Sequence, residues 1–397
     1  MRRALYIHIP FCLRRCTYCD FNTYVGLLPL RAAYVEALER EAVLWAERSP
    51  ELQVATLYFG GGTPSLLSPD SVARLVNVAR VRFALPADAE VTLEANPGTV
   101  AEQQLRALRQ AGVNRLSLGV QSSHREELAL LGRIHSWAEA VSAVAAARRA
   151  GFANLSLDLI FGLPGQSLSR WMETMERVLE LEPEHLSLYA LKLEPDTPLA
   201  RRVAAGELPA PDPDLAADMY ARAGELLQDA GFWQYEISNW ARGRAPAPEI
   251  WAVPPAGQSE QISAWVAQHN LIYWRNTSWL GWGAGAYSWF QGRRWSNPAH
   301  PRAYIAAVKS GELQRVAEEC IPSALEMGET LMMGLRLAEG VTTHRFRARF
   351  GLELSTQYGD ALSHFVKLGL LSWDAERLRL TRAGRLLGNQ VFAAFLP

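Results

Sequence analysis

The sequence has few cysteines, almost no net charge and no long apolar run. Four cysteines in 397 residues are too few for a disulfide scaffold. Lys and Arg total 40 against 41 Asp and Glu, so electrostatics gives no reason to expect a nucleic-acid partner. His8 and Pro10 come too early for the apolar region of a signal peptide, and no apolar segment is long enough to span a bilayer. These features predict a cytoplasmic protein.

The first half of the chain alternates short β-branched runs with longer amphipathic segments. This alternation is typical of βα units around a parallel sheet. The predicted strands are residues 5–9, 55–59, 90–93, 115–120, 154–160 and 185–191, and the predicted helices are residues 31–47, 69–80, 101–111, 137–150 and 169–181. Six strands with this spacing predict an α/β fold, a partial (β/α)6 barrel of the TIM type, with its chemistry at the C-terminal ends of the strands.

The second half of the chain has a different composition. Three prolines in residues 208–214 and four in residues 241–258 indicate loops. Beyond about residue 303 the pattern is helical, with helices predicted at 323–337, 342–350 and 355–368 before a short strand at 377–380, which is a winged-helix plan. Because the chain is too long for one core, we predict a barrel over residues 1–240, a Pro-rich, aromatic and Gly-rich segment over 241–310, and a C-terminal winged-helix-like domain over 311–397.

Three of the four cysteines lie close together in the sequence. Cys12, Cys16 and Cys19 have C-x3-C-x2-C spacing directly after the first predicted strand, on a loop that can fold three thiolates around one metal centre. Thiolates favour iron–sulfur clusters or zinc. A four-iron cluster with three protein ligands keeps one iron open, which S-adenosylmethionine (SAM) can chelate through its amino and carboxylate groups. Zinc needs a fourth ligand, which His8 could supply, so a zinc-stabilised binding module stays an alternative.

The segment from Tyr6 to Phe21 resembles the oxygen-independent coproporphyrinogen III oxidase-like family of radical SAM proteins, and the resemblance continues through most of the chain. It implies a 4Fe–4S cluster on the three cysteines and SAM beside it, with Glu94 at the ribose hydroxyls and Arg133 at the methionyl carboxylate. Taken singly, each polar residue is better explained as a strand-end cap, but their joint placement at strand ends favours a SAM site. The SAM-binding residues implied by the resemblance are Tyr6, Tyr18, Gly60, Gly61, Gly62, Thr63, Glu94, Gln121, Arg133 and Asp158.

Two features separate the branches of this family. By the resemblance, the oxidases carry a further Cys two residues after Cys19, where this chain has Phe21. The heme-chaperone branch has an H-N-x-x-Y-W motif that is associated with heme binding, and the chain has this motif from His269 to Trp274. An imidazole can ligate iron, so His269 is the candidate heme ligand. A structural role in packing stays the alternative for His269 and for the tryptophans around it.

The resemblance therefore implies a protein that binds a 4Fe–4S cluster, SAM and heme and delivers heme to acceptor proteins, with membrane-associated respiratory proteins as candidate acceptors. The alternative is an oxidase or dehydrogenase that uses a 5'-deoxyadenosyl radical to oxidise coproporphyrinogen III. Two departures from the family pattern bear on this choice. The Pro-rich stretch 241–267 lengthens the loop before the H-N motif, and Tyr287 stands where the family usually has His.

Overall fold

The computed structural model describes residues 3–243, 265–374 and 376–397, and one large sheet dominates it. The strands are β1 (Arg3–Ile9), β2 (Phe11–Cys12), β3 (Tyr24–Val25), β4 (Val54–Gly61), β5 (Val91–Ala95), β6 (Arg115–Gln121), β7 (Leu155–Phe161), β8 (His185–Ala190), β9 (Phe232–Glu236), β10 (Asn239–Arg242), β11 (Trp279–Trp282), β12 (Tyr287–Phe290), β13 (Arg293–Ser296), β14 (Val316–Cys320), β15 (Val341–Thr342), β16 (Leu371–Trp373) and β17 (Arg377–Leu380). The large sheet has twelve strands in the order β14-β13-β12-β11-β1-β4-β5-β6-β7-β8-β10-β9.

Helices follow most of the parallel strands, and their starts carry local sequence signals. The helices are α1 (Arg31–Arg48), α2 (Pro69–Phe83), α3 (Glu102–Gln110), α4 (Arg125–Leu130), α5 (Trp137–Arg149), α6 (Leu168–Leu179), α7 (Pro198–Ala204), α8 (Pro213–Asp229), α9 (Gln268–Trp274), α10 (Pro301–Lys309), α11 (Ser323–Gly334), α12 (Thr343–Phe350), α13 (Leu354–Lys367), α14 (Arg382–Leu386) and α15 (Gly388–Ala393). Ser136 and Glu139 form a capping box at the start of α5. Within the described ranges, no helix combines the length and apolar character needed to cross a membrane.

Six neighbouring parallel strands, β1 and β4 to β8, form the predicted partial barrel. The sheet continues on one side through β11, which pairs in parallel with β1, and on the other through β10, which pairs antiparallel with β8. The outermost strands, β14 and β9, do not pair with each other in the described part of the chain, so the sheet stays open. The α/β fold class and the partial barrel are confirmed.

The parallel strands are buried on both faces, but the two faces differ in polarity. In β6, Leu116 and Leu118 are buried on one face, whereas Arg115 and Ser117 point into the barrel. TIM-type interiors are usually filled by bulky branched apolar side chains. We call the inward-facing polar residues the polar inner layer, and its members are Thr56, Tyr58, Thr92, Glu94, Arg115, Ser117, Ser156, Asp158, His185 and Ser187.

The C-terminal part has its own small core and a three-stranded sheet in the order β15-β17-β16. Leu331 of α11, Phe346 of α12 and Leu362 of α13 are buried in this core with Leu378 of β17. Three helices with an antiparallel β16–β17 pair match the predicted winged-helix plan. The domain boundaries at 240 and 310 stay a prediction.

Several strands were not predicted, and one of them, β14, lies in a region that was predicted to be helical. The sequence predicts helical structure beyond about residue 303, but β14 pairs antiparallel with β13 there. All five residues of β14 are exposed, so the strand has no apolar alternation that a sequence pattern could detect. It is held by its backbone ladder and by cross-strand ion pairs such as Arg293 with Glu318 at 3.4 Å. The predicted helix at 323–337 is also shorter, ending at Gly334.

Candidate functional site

The barrel contains a cavity of about 460 Å³ at the C-terminal ends of its parallel strands. The segment that joins β2 to β3 forms one side of it, and the ends of β4 to β8 form the rest. Of the predicted site residues, Tyr6, Gly60 and His269 do not line the cavity. Those that do are Cys12, Cys16, Tyr18, Cys19, Gly61, Gly62, Thr63, Glu94, Gln121, Arg133 and Asp158.

The cysteine loop, residues 12–19, is anchored to the barrel through its backbone. Cys12 ends β2, which pairs in parallel with β3. Thr17 donates its backbone N–H to the carbonyl of Leu131 at 3.0 Å and its hydroxyl to the carbonyl of Leu130 at 2.6 Å. These contacts fasten the middle of the loop to the end of α4, so the three sulfur atoms face the same cavity.

The thiols lie in a partly desolvated environment. Burial raises the pKa of Cys12 and of Cys19, so these groups stay protonated at neutral pH until a metal displaces the proton. The Thr63 hydroxyl donates to Cys12 Sγ at 3.6 Å, and the Arg133 guanidinium donates to Cys16 Sγ at 3.5 Å. Both donors stabilise a thiolate more than a thiol.

The donor set fits an iron–sulfur cluster better than a zinc ion. Within residues 3–243, 265–374 and 376–397, no three His, Cys, Asp or Glu side chains come close enough together to hold one metal ion. A mononuclear zinc site needs its ligands to converge on a single point. A cubane cluster gives each thiolate its own iron, so three separated sulfurs on one cavity wall suit it.

The glycine segment after β4 packs closely against the cysteine loop. Gly61 has φ +112°, a conformation that side chains disfavour. A Cβ atom at Gly62 would lie 2.7 Å from the carbonyl oxygen of Phe11 and 3.0 Å from Cys12 Sγ, so a side chain there would force the cysteine loop to shift. A Cβ at Gly60 would lie 2.8 Å from the ring of Tyr6, which packs against Tyr58 with ring centroids 6.1 Å apart. Gly60 and Tyr6 therefore pack beside residues that line the cavity without lining it themselves.

Two carboxylates of the polar inner layer face the cavity. Glu94 accepts hydrogen bonds from the Tyr58 hydroxyl at 2.7 Å and the Gly61 N–H at 3.1 Å. Burial, with a smaller contribution from the charge of Asp158, raises the pKa of Glu94 to about 7. Asp158 accepts from the Ser117 hydroxyl at 2.8 Å, and burial raises its pKa as well. The pair offers acceptors for hydroxyl groups and attraction for a cation.

Arg133 is fixed by contacts on two sides. Its guanidinium donates to the Gly119 carbonyl at 2.7 Å and to Asn96 Oδ1, in addition to Cys16 Sγ. This places a permanent positive charge between the cysteine loop and the strand ends. Gln121 ends β6 with φ +68° and is buried at the same end of the barrel. Such positive φ values in non-glycine residues are typical of functional sites.

His269 lies outside the cavity and is 1% exposed. Its Nδ1 is 2.8 Å from the Thr56 hydroxyl and its Nε2 is 2.9 Å from the Tyr273 hydroxyl. Its backbone N–H donates to Glu90 at 2.9 Å. Burial lowers the pKa of His269 to about 3, with a smaller contribution from Arg115. Iron ligation by His269 stays a prediction, and it requires one of these hydrogen bonds to break.

The features that distinguish the two family branches have different locations. Phe21 lies on the cavity wall and is 61% exposed. Tyr287 is also exposed, at the start of β12, and does not line the cavity. Most of the Pro-rich stretch 241–267 lies outside the described residues, although its first two residues end β10.

Sequence reasoning missed part of the cavity wall. The signal was the alternation of polar and apolar residues along strands that are buried on both faces, such as Arg115-Leu116-Ser117-Leu118 in β6. A buried parallel strand normally reads as a continuous apolar run. The missed polar residues on the wall are Tyr58, Asn96, Arg115, Ser117, Ser187, Tyr189 and Asn270.

Comparisons with known proteins bear on what this cavity holds. The family model of the Radical SAM superfamily matches residues 6–178, and the model of the HemN C-terminal domain matches residues 324–387. The heme chaperone HemW of Bacillus subtilis (strain 168) is 34% identical over 396 residues, covering 99% of both chains. The chain belongs to the HemW family of radical SAM proteins. Membership of the radical SAM superfamily implies a 4Fe–4S cluster and SAM.

Other relatives agree with the HemW assignment. The heme chaperone HemW of Mycobacterium tuberculosis (strain H37Rv) is 37% identical over 398 residues, covering 99% of this chain and 94% of that protein. Among solved structures, the coproporphyrinogen III oxidase HemN from Escherichia coli, a radical SAM enzyme, matches with TM-score 0.81 and 25% identity, covering 99% of this chain and 90% of that one. The HemW family thus shares its fold with an oxidase, so fold alone does not decide between the two activities.

Proposed function

We propose that this chain is a heme chaperone that holds a 4Fe–4S cluster on Cys12, Cys16 and Cys19, binds SAM in the adjoining cavity, binds heme and passes it to acceptor proteins. The full-length similarity to relatives named heme chaperone HemW is the observation that carries the heme part. The three cysteines and several residues of the polar inner layer line the same cavity. This arrangement supports the proposed binding of the cluster and SAM.

The chain's own residues suit the recognition of SAM. Glu94, already oriented by Tyr58 and the Gly61 N–H, presents carboxylate oxygens to ribose hydroxyls. Arg133, fixed beside Cys16, presents a guanidinium to the methionyl carboxylate. When bound, the cluster and SAM supply one-electron radical chemistry. The chain's part is to position both molecules in one cavity.

The oxidase activity is the second candidate, because the HemN structure from Escherichia coli covers nearly the whole chain. Phe21 argues against it, since it occupies the position at which the resemblance places an additional Cys in the oxidases. A phenylalanine that is 61% exposed on the cavity wall cannot replace a thiol in ligation or proton transfer. It does offer an aromatic face to a flat apolar ligand such as a porphyrin.

The partners and the location are part of the same proposal. Heme acceptors are expected to be proteins that need heme, with membrane-associated respiratory proteins as candidates, and the location is expected to be cytoplasmic. The HemW relatives are named for the chaperone activity without an acceptor. Pull-down of the heme-loaded chain from cell extract, with the heme-free chain as the control, tests the acceptor class.

The deciding experiment measures two activities on one anaerobic, cluster-loaded preparation. Heme titration followed by absorbance should saturate, and incubation with SAM, dithionite and coproporphyrinogen III should give no protoporphyrinogen IX. Phe21→Cys is the informative variant, and Phe21→Leu is its control, because both remove the ring and only the first adds a thiol. If the wild-type protein turns over coproporphyrinogen III and does not bind heme, the oxidase assignment is correct and the chaperone proposal is wrong.

A further inference from the structure

We propose that Arg115 and Asn270 form a carboxylate-binding subsite on the floor of the cavity, below the residues assigned to SAM. Arg115 begins β6 and Asn270 lies in α9, and both side chains line the cavity. The proposal depends on the proposed function only in taking the same cavity as the SAM site. No predicted site residue and no comparison assigns a ligand to this floor.

Arg115 is an unusual group for a protein interior. It is 2% exposed, and its Nε has no hydrogen-bond partner. In the described part of the chain, its guanidinium forms no side-chain hydrogen bond and no salt bridge within 4.0 Å. A buried guanidinium without a partner is costly, because it has lost its hydration without gaining a replacement. We therefore expect a bound ligand to supply an anionic group or another hydrogen-bond acceptor to the guanidinium of Arg115.

The two carboxylates that face the cavity, Glu94 and Asp158, do not form hydrogen bonds with Arg115. Glu94 uses its oxygens on Tyr58 and on the Gly61 N–H, and Asp158 uses its oxygens on Ser117 and Ser156. Their charges offset that of Arg115 through space but leave its donors free. An incoming carboxylate can accept two parallel hydrogen bonds from the planar guanidinium, which is the strongest contact that this group makes.

Two further polar side chains also lack hydrogen-bond partners among the described residues, one beside Arg115 in the sheet and one on the cavity wall. Thr92 stands directly beside Arg115 in the β5–β6 register, and its buried hydroxyl has no hydrogen-bond partner. Asn270 faces the cavity, and its side-chain amide makes no hydrogen bond to a described residue. An amide can donate to the ligand's carboxylate or accept from a water molecule bound beside it. Arg115 from β6 and Asn270 from α9 thus both present unpaired donors to the same cavity.

The H-N motif explains why Asn270 is fixed there. His269 is clamped between Thr56 and Tyr273, and the backbone N–H groups of Gln268 and His269 both donate to Glu90 at 2.9 Å. The three bonds to Thr56 and Glu90 hold the first turn of α9 against the barrel, and the bond to Tyr273 orients the ring of His269 within the helix. His269 is thus a positioning residue for Asn270, and the motif serves the cavity floor.

The test uses the full chain with its cluster loaded and acetate as the probe, with acetamide as a neutral analogue of nearly the same shape. Ligand-observed NMR should show saturable binding of acetate and not of acetamide. Arg115→Met should weaken acetate binding at least tenfold and Asn270→Ala severalfold, because each removes a donor. Arg106→Met, an exposed arginine on α3, is the control and should bind acetate like the wild type.

A second arm identifies the source of the carboxylate. If acetate still binds when SAM is saturating, the subsite takes a second ligand. If SAM displaces acetate and Arg115→Met weakens SAM to the same degree, the subsite takes the carboxylate of SAM itself, and the assignment of that carboxylate to Arg133 is wrong. Both results support the subsite. SAM binding measured separately on the wild type reports on the proposed function, so its failure is distinguishable from failure of the subsite.

Two results would overturn the proposal: no saturable acetate binding to the wild type, or equal acetate binding by wild type and Arg115→Met. Far-UV circular dichroism and iron content show whether the variant is folded and loaded. If Arg115→Met does not fold, Asn270→Ala and the difference between acetate and acetamide decide the question. Equal affinity of Asn270→Ala and wild type, with acetamide binding as well as acetate, then rejects the subsite.

Discussion

The cysteine loop and the polar inner layer face one cavity but are built in different ways. The loop is one short segment whose second and third thiols are half-buried, and it is anchored through Thr17. The inner layer comes from five strands, and its groups bind one another, as where Ser156 lies 2.8 Å from His185 Nδ1. The half-buried thiols of the loop are therefore accessible to an incoming metal cluster, whereas the hydrogen bonds within the inner layer fix the positions of its side chains. Changes in the loop should cost cluster binding, whereas changes to the groups that bind one another in and around the layer should cost stability.

The largest effect is expected in the loop. Cys12→Ala should remove the cluster, because two thiolates do not hold a cubane securely. Iron and sulfide analysis after anaerobic reconstitution measures this. Cys320→Ala is the matched control, since that cysteine is exposed on β14 and should leave the iron content unchanged. If Cys12→Ala keeps its iron and sulfide, or if Cys320→Ala loses them, the cluster is held by other residues.

The next effect is expected beside the inner layer, on stability. His269→Ala leaves the hydroxyls of Thr56 and Tyr273 without a partner and opens a cavity, so the free energy of unfolding should fall by about 2–4 kcal/mol. Urea unfolding measures it. His364→Ala, an exposed histidine on α13, should change the unfolding free energy by less than about 0.5 kcal/mol. Equal stabilities for the two variants contradict the structural role of His269.

The boundary between the two regions gives a smaller effect. Arg133 contacts both Cys16 and the end of β6, and Arg133→Ala should weaken SAM binding by about 1.5–3 kcal/mol, the usual contribution of a hydrogen bond to a charged group. Equilibrium dialysis with labelled SAM measures the affinity. The iron content should stay at the wild-type value. Unchanged SAM affinity would mean that Arg133 only supports the loop.

The smallest expected effect is a pH dependence from the inner layer. Burial raises the pKa of Glu94 to about 7, so the ionised form that accepts ribose hydroxyls is lost as the pH falls through that value. SAM affinity should therefore rise about tenfold from pH 6 to pH 8. Glu94→Gln should bind more weakly and show no such dependence. A flat profile for the wild type removes Glu94 from the SAM site.

The sequence was sufficient to predict that residues of one motif and residues at strand ends would line the same cavity, and their roles stay predictions. Cys12, Cys16 and Cys19 share one motif, and Glu94 and Asp158 sit on strands whose ends had to meet at one edge of a parallel sheet. The inward position of Arg115 and the distance of His269 from the cavity were not predictable in the same way. Both depend on the register of the strands and on where α9 docks, which periodicity does not specify.

Cys12, Cys16 and Cys19 are proposed to hold a 4Fe–4S cluster with an open iron facing the SAM cavity. Electron paramagnetic resonance of the dithionite-reduced, reconstituted protein tests this directly. We expect a signal of one reduced 4Fe–4S cluster that changes shape when SAM is added, because SAM would occupy the open iron. A signal unaffected by SAM, or a protein that carries zinc without sulfide, would contradict the cluster assignment.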